Sequence, residues 1–152
     1  MCFSSQMDLA LAEAEKAAAV GEVPVGAVIV DPKGTVIASA ANRTRRDSDP
    51  TAHAEILAIR KAAKFLGNDR LVGCTMYVTL EPCAMCAGAL SHARVARIIY
   101  GAPDPKSGGT DHGARVFEHS QTHHRPEVLG GISEAACSTL ISNFFKTRRA
   151  KS

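Results

Sequence analysis

No stretch of this sequence approaches the roughly 20 consecutive apolar residues that a bilayer-spanning helix needs. Its first residues, Met1-Cys2-Phe3-Ser4-Ser5-Gln6-Met7, have no basic region followed by an apolar run, so no secretory leader is read there. Both absences lead to one expectation: no membrane partner, and a cytoplasmic protein unprocessed apart from Met1. Internal repeats and low-complexity linkers are missing too, and 152 residues fit one domain, 1–152, with length enough for a single core. Nor is there a disulfide framework, because the five cysteines are odd in number and three of them are scattered. Cys2, Cys74 and Cys137 read as buried or unpaired thiols of a reducing compartment. The formal charge is only +3, which permits a nucleic-acid partner without requiring one.

What the chain does have is two short stretches, His53-Ala54-Glu55 and Pro82-Cys83-Ala84-Met85-Cys86. A Cys-x-x-Cys pair at a helix start places both sulfurs on one face. One imidazole and two thiolates, His53, Cys83 and Cys86, suit Zn²⁺, and three protein ligands leave the fourth tetrahedral position open to water. Glu55, two residues from His53, is the natural proton carrier for such a water. Residues two apart point to nearly opposite sides of an ideal helix, so His53 and Glu55 share a site only if the metal sits at the helix mouth.

The coarse reading alternates helices and strands. Met7 to Val20 is a helix ended by Gly21, and Val23 to Val30 a buried strand. Asp31-Pro32-Lys33-Gly34 turns the chain into a partner strand, Thr35 to Ala40. Asn42 to Thr51 is a polar loop carrying Arg43, Arg45 and Arg46. A helix from Ala52 to Leu66 follows, capped by Asp49 or Thr51. Thr75 to Leu80 is a strand feeding a short helix, Cys83 to His92. Arg97 to Tyr100 is a strand ended by Gly101, and Glu127 to Leu129 another. The final helix is capped by Ser133 and turns Ala136, Leu140, Ile141 and Phe144 to the core. This order implies an α/β sandwich, a mixed sheet with helices on both faces.

The pattern His-x-Glu followed by Pro-Cys-x-x-Cys is similar to that of zinc-dependent nucleobase deaminases. Beyond it, Glu22-Val23-Pro24-Val25-Gly26-Ala27-Val28, Thr51-Ala52-His53-Ala54-Glu55-Ile56, Val78-Thr79-Leu80-Glu81-Pro82-Cys83-Ala84-Met85-Cys86-Ala87-Gly88-Ala89 and Phe144-Phe145-Lys146-Thr147-Arg148-Arg149 resemble the bacterial tRNA-specific adenosine deaminases. The resemblance covers about Met7 to Arg149. It implies a cytidine deaminase-like, three-layer α/β/α sandwich with a mixed five-stranded sheet, its two metal-bearing helices side by side. It also implies one Zn²⁺ per chain, a homodimer, and hydrolytic deamination of adenosine to inosine at the wobble position of a tRNA anticodon loop. Asn42 matches a substrate-contacting asparagine, and Pro24, Val25 and Ala54 match positions that wall the base pocket. One departure stands out: in Asp104-Pro105-Lys106-Ser107-Gly108-Gly109-Thr110-Asp111-His112, the end runs Asp-His-Gly where small apolar residues are expected.

Each residue also has a plainer reading. Asn42 is an ordinary turn residue, and Pro24, Val25 and Ala54 are ordinary packing. Glu81 reads as a structural residue at a helix start rather than a second base. His92, His112, His119, His123 and His124 lack spaced partners and read as loop or surface residues. Lys146, Arg148, Arg149 and Lys151 suit a helix C-terminus whatever they bind, since its dipole favours cations. With Phe145 off the core face, stacking on a splayed base gives Phe145, Lys146, Arg148 and Arg149 an RNA-binding role. Arg43, Arg45 and Arg46 are a second candidate phosphate patch. The rival readings are a deaminase of a free base, nucleoside or mononucleotide (guanine, cytidine or dCMP) and, in another class, a structural-zinc RNA-binding module.

Overall fold

The computed structural model describes residues 3–151, with side chains from 6 to 149. Cys2 and the side chain of Lys151 lie outside the described residues. The elements in order are α1 (Phe3–Ala19), β1 (Gly26–Val30), β2 (Val36–Ala41), α2 (Ala54–Leu66), β3 (Thr75–Leu80), α3 (Ala84–Ala93), β4 (Arg97–Ala102), a 3₁₀ turn (Val116–Glu118), β5 (Glu127–Leu129) and α4 (Glu134–Lys151). The strands form one mixed sheet in the order β2-β1-β3-β4-β5. β1 runs antiparallel to both β2 and β3, whereas β3, β4 and β5 are parallel.

Period-two alternation divides the apolar side chains between two faces. Ala27, Ile29, Met76, Val78 and Ile98 pack with Ala58 and Ala62 of α2 and with Ala87 and Leu90 of α3. Val28, Val30, Tyr77 and Ile99 pack with Met7 and Ala10 of α1 and with Cys137 of α4. A sheet covered on both sides explains why β1 is buried at every position. The result is the expected three-layer sandwich, with α2 and α3 together on one face. Helix α1 lies so close to β1 that a Cβ on Gly26 would run into the carbonyl of Ala10 and the amide of Ala14.

Several boundaries differ from the sequence reading, each for a local reason. The strand expected from Val23 begins only at Gly26. Pro24 has no N–H to give a ladder, and the Val25 amide turns back to the Val23 carbonyl at 2.8 Å. Helix α2 begins at Ala54, not Ala52. Asp49 closes a turn onto the Thr51 amide and hydroxyl (2.9 and 2.7 Å), and His53 stands at the helix cap position in extended conformation (φ −72°, ψ 152°). Gly101 lies within β4 rather than ending it, and it is a packing glycine, since a Cβ there would collide with the Cys137 sulfur. In α4, Ala136 is exposed and Cys137 takes the core position, while Leu140, Ile141 and Phe144 are half-buried. Ser133 precedes this helix with φ 56°, and its carbonyl accepts the Cys137 amide at 3.1 Å.

Candidate active site

Helices α2 and α3 both begin at the same place. His53 and Cys83 occupy their cap positions in extended conformation, and neither side chain is spent on a helix-capping hydrogen bond. That frees the imidazole and the sulfur to face each other. His53 Nδ1 lies 3.7 Å from Cys83 Sγ and 3.6 Å from Cys86 Sγ. A tetrahedral zinc with ordinary Zn–N and Zn–S bonds holds nitrogen and sulfur about 3.6 Å apart. The spacing and the donor chemistry therefore fit zinc. Among the described residues, this group of three is the one set of clustered ligands able to hold a metal ion.

Electrostatics shape these donors. The Cys83 thiol is held down to about 4, chiefly by the hydrogen bond it shares with Cys86, with His53 contributing. Its partner Cys86 is pushed up by that same bond, by burial and by Glu55. The imidazole of His53 is raised, first by its contact with Cys83. The dipoles of two converging helix N-termini add to the preference for thiolate.

Glu55, the second residue of α2, is 4 % exposed. Burial raises its carboxyl to about 7. Its Oε1 has no hydrogen-bond partner, a state shared among the buried side-chain oxygens and nitrogens of the described residues only with Oε1 of Gln6. Buried polar atoms are normally satisfied, so an orphaned carboxylate oxygen facing a cavity marks a place for a ligand. That cavity has a volume of about 240 Å³ and is lined by Val23, Val25, Asn42, Thr44, His53, Glu55, Leu80, Glu81, Cys83, Asp104 and Ser107. It is smaller than the roughly 300–1,000 Å³ clefts that take drug-sized molecules, and it suits one nucleobase.

Asn42, just beyond β2, accepts the Ala54 amide at 2.8 Å through Oδ1. Its oxygen is thereby engaged with the backbone, which leaves its amide nitrogen as the donor that Asn42 can offer where it lines the cavity. Val25 lines the cavity. Pro24 and Ala54 are buried nearby but are not among the residues lining it. Val23, Thr44, Asp104 and Ser107 line it and were not singled out in the sequence. No spacing could have marked them, since loop paths bring them in.

Glu81 is a second buried carboxylate beside this cavity, 2 % exposed. Unlike Glu55 it is saturated. It accepts the amides of Asp104 (2.9 Å), Thr110 (3.4 Å) and His112 (2.9 Å), the Thr110 hydroxyl (3.1 Å) and His112 Nδ1 (2.7 Å). Burial alone would raise its carboxyl, but these bonds hold it below the ordinary range. The structural reading of Glu81 is the one its partners support.

A larger groove of about 500 Å³ lies alongside, between α1, β2 and α2, and shares Asn42 with the cavity. Its walls carry Lys16, Arg43, Arg46, Arg60 and Lys61 against Glu13 and Asp47. Size does not make it the reaction site, because the metal-capable group and Glu55 face the smaller cavity. The loop leading to it is pinned by fully buried Glu22, which accepts the Arg46 amide at 2.7 Å and the Arg45 amide at 3.2 Å. Arg45 and Arg148 both donate to the Gly21 carbonyl, at 3.4 and 3.0 Å. The two basic stretches read separately in the sequence thus meet on one surface. Arg148 also lies 5.3 Å from the Phe144 ring, which Phe145 meets edge-on at 5.5 Å. Phe145 is 44 % exposed, and Lys146 and Arg149 are exposed. His119 and His124 bond backbone carbonyls of Ala114 and Val95 instead of gathering round a second metal.

Residues 3–102 match the cytidine and deoxycytidylate deaminase zinc-binding region. The tRNA-specific adenosine deaminase of Agrobacterium fabrum is 50% identical over 143 residues, 94% of this chain and 93% of that protein. That of Haemophilus influenzae is 47% identical over 143 residues, 94% of this chain and 83% of that protein. A solved structure from a study of tRNA deaminases that carry out A-to-I editing at the wobble position superposes with a TM-score of 0.87 at 50% identity, covering 90% of this chain and 98% of the other. The chain therefore belongs to the zinc-binding deaminases of the cytidine and deoxycytidylate type and, within them, to the tRNA-specific adenosine deaminases.

Proposed function

We propose that this protein converts adenosine to inosine at the wobble position of a tRNA anticodon loop, in the cytoplasm, as a homodimer with one zinc ion per chain. The observation that carries the reading is the buried, unpartnered carboxylate oxygen of Glu55 beside the His53, Cys83 and Cys86 donors. Zinc held by those three residues supplies Lewis-acid activation, bringing the pKa of water towards about 7.

The remaining steps belong to the chain. Glu55 takes one proton from the attacking water and gives it to the ring nitrogen, then carries the second proton, from the hydroxyl added at C6, to the amino group that leaves as ammonia. Its lack of any competing donor at Oε1 keeps that oxygen available for the shuttle. The Asn42 amide nitrogen donates to the base and fixes its orientation, while Val25 and Val23 exclude water from one side. The net change is adenosine plus water to inosine plus ammonia. A cavity sized for one base requires the target to be unstacked, which a single-stranded loop allows at little cost. Phe145, Lys146, Arg148 and Arg149 offer a stacking ring and cations for the flanking RNA, and Arg43, Arg45 and Arg46 extend that surface towards the pocket.

The test is to incubate the zinc-loaded protein with in vitro transcribed tRNAs and, separately, with free adenosine, cytidine and guanine. Inosine in tRNA, with the free compounds unchanged, is the expected result. Turnover of a free compound in place of tRNA would establish the small-molecule reading instead. A zinc site with a fourth protein ligand and no turnover would make the protein a structural-zinc module.

A further inference from the structure

The loop after β4 carries the departure noted in the sequence, Asp111-His112-Gly113, and neither polar side chain faces away from the protein's own groups. His112 gives both its amide and Nδ1 to the Glu81 carboxylate, at 2.9 and 2.7 Å. Asp111 accepts the Tyr100 hydroxyl at 2.7 Å, and Tyr100 is 4 % exposed in β4. Glu81 also holds the near end of the same loop through the Asp104 amide at 2.9 Å. One buried carboxylate, two residues before Cys83, thus ties both ends of a segment whose Asp104 and Ser107 line the base pocket.

We propose that Glu81, His112, Asp111 and Tyr100 form a clamp that fixes residues 104–110 as one wall of the base pocket, and that His112 is a positioning residue for the RNA substrate. The inference rests on the deaminase reading above. Pro105, Lys106 and Ser107 remain exposed along the loop. Within the loop, Asp104 Oδ1 accepts the Ser107 amide at 3.0 Å, so the two pocket-lining residues move together. Gly109 donates to the Pro82 carbonyl at 2.7 Å, and its missing side chain lets the loop lie against the first residue of α3. A Cβ on Gly108 would press into the Glu81 carboxylate. The wall is therefore registered directly against the segment that presents Cys83. A loop held this way is already in the bound geometry, and ordering it is not charged against substrate binding.

The test uses the full-length, zinc-loaded protein and an in vitro transcribed tRNA substrate. His112→Ala should lower kcat/KM by about tenfold, mainly through KM, as expected for loss of a hydrogen bond to a charged group. Zinc should stay at one per chain, and amide hydrogen exchange across residues 104–110 should quicken. His112→Asn, whose amide nitrogen can stand in for Nδ1, should restore kcat/KM to within about twofold and restore protection. Tyr100→Phe, which removes only the hydroxyl, should act in the same direction and more weakly. Wild-type kcat/KM in His112→Ala, unchanged exchange across 104–110, or failure of His112→Asn to rescue would each overturn the clamp. If the wild-type protein forms no inosine in tRNA, the proposed function fails by itself, and the exchange comparison then decides the clamp alone.

Discussion

Two glutamates of this chain are almost equally buried, yet removing them should have opposite consequences. Glu81 accepts five hydrogen bonds, so Glu81→Ala strands the Asp104, Thr110 and His112 donors. Unsatisfied buried groups cost about 1–3 kcal/mol each and do not simply add, so a loss of roughly 3–5 kcal/mol is expected. For a chain of this length that lowers Tm by about 6–20 °C. Glu55 has an orphaned oxygen, and Glu55→Ala removes an uncompensated polar atom from a cavity wall. Stability should stay within about 1 kcal/mol of wild type, as when strain at a functional site is relieved. Turnover, in contrast, should fall by about 10²–10⁴-fold or more, the usual loss when a general acid–base is removed. The assay is thermal unfolding of both variants beside zinc analysis and tRNA deamination. Equal destabilisation by the two substitutions, or near-normal turnover of Glu55→Ala at full zinc occupancy, would refute the reasoning.

Neutralising Arg148 and Arg149 together should weaken tRNA binding and reduce its log–log salt slope by about 0.7 for each lost phosphate contact. Affinity measured at several salt concentrations checks this, and an unchanged slope would remove the C-terminal helix from the RNA surface. Gly26→Ala should destabilise the fold by about 1–3 kcal/mol or more, because its methyl meets α1 backbone and not a side chain that can turn away. A denaturation midpoint at the wild-type position would show that α1 does not pack this closely. Thiol labelling should distinguish the described cysteines. Burial pushes the Cys137 thiol up to about 11, so the native protein should leave it protonated and unlabelled from neutral pH until the approach to that value. Cys83, half-buried and thiolate-prone, should label once a chelator strips the metal. Labelling of Cys137 in native protein at pH 7 would contradict its burial between α4 and the sheet.

How much of this was legible beforehand depended on whether the controlling contacts were local. His53, Cys83 and Cys86 could be grouped because helix-start spacing brings each side chain to a predictable place, and His53 and Glu55 could share a site only at a helix mouth. The structure meets that condition by starting α2 at Ala54. Asp49 carried the signal for the shift, since it can close a turn on Thr51 as readily as cap a helix. Pro24 likewise carried the reason β1 starts late, but an apolar run alone reads as strand. The partners of Glu81 could not be read, because Asp104, Thr110 and His112 lie 23 to 31 residues away along a glycine-rich loop. For the same reason the departure at Asp111 and His112 gave no sign of the bonds these residues make to Tyr100 and Glu81. The meeting of Arg45 and Arg148 on one carbonyl joins the loop after β2 to helix α4, which no spacing rule connects.

The most direct test of the account is tRNA deamination followed while zinc is removed and returned. The protein is stripped with a chelator, checked for retained fold, titrated with Zn²⁺, and assayed at each step for inosine at the wobble position. The account predicts no inosine in the zinc-free protein and full activity at one zinc per chain, with Glu55→Ala binding the same zinc and remaining inactive. Inosine formation that persists without zinc, or stoichiometric zinc with no deamination of any tRNA, would contradict it.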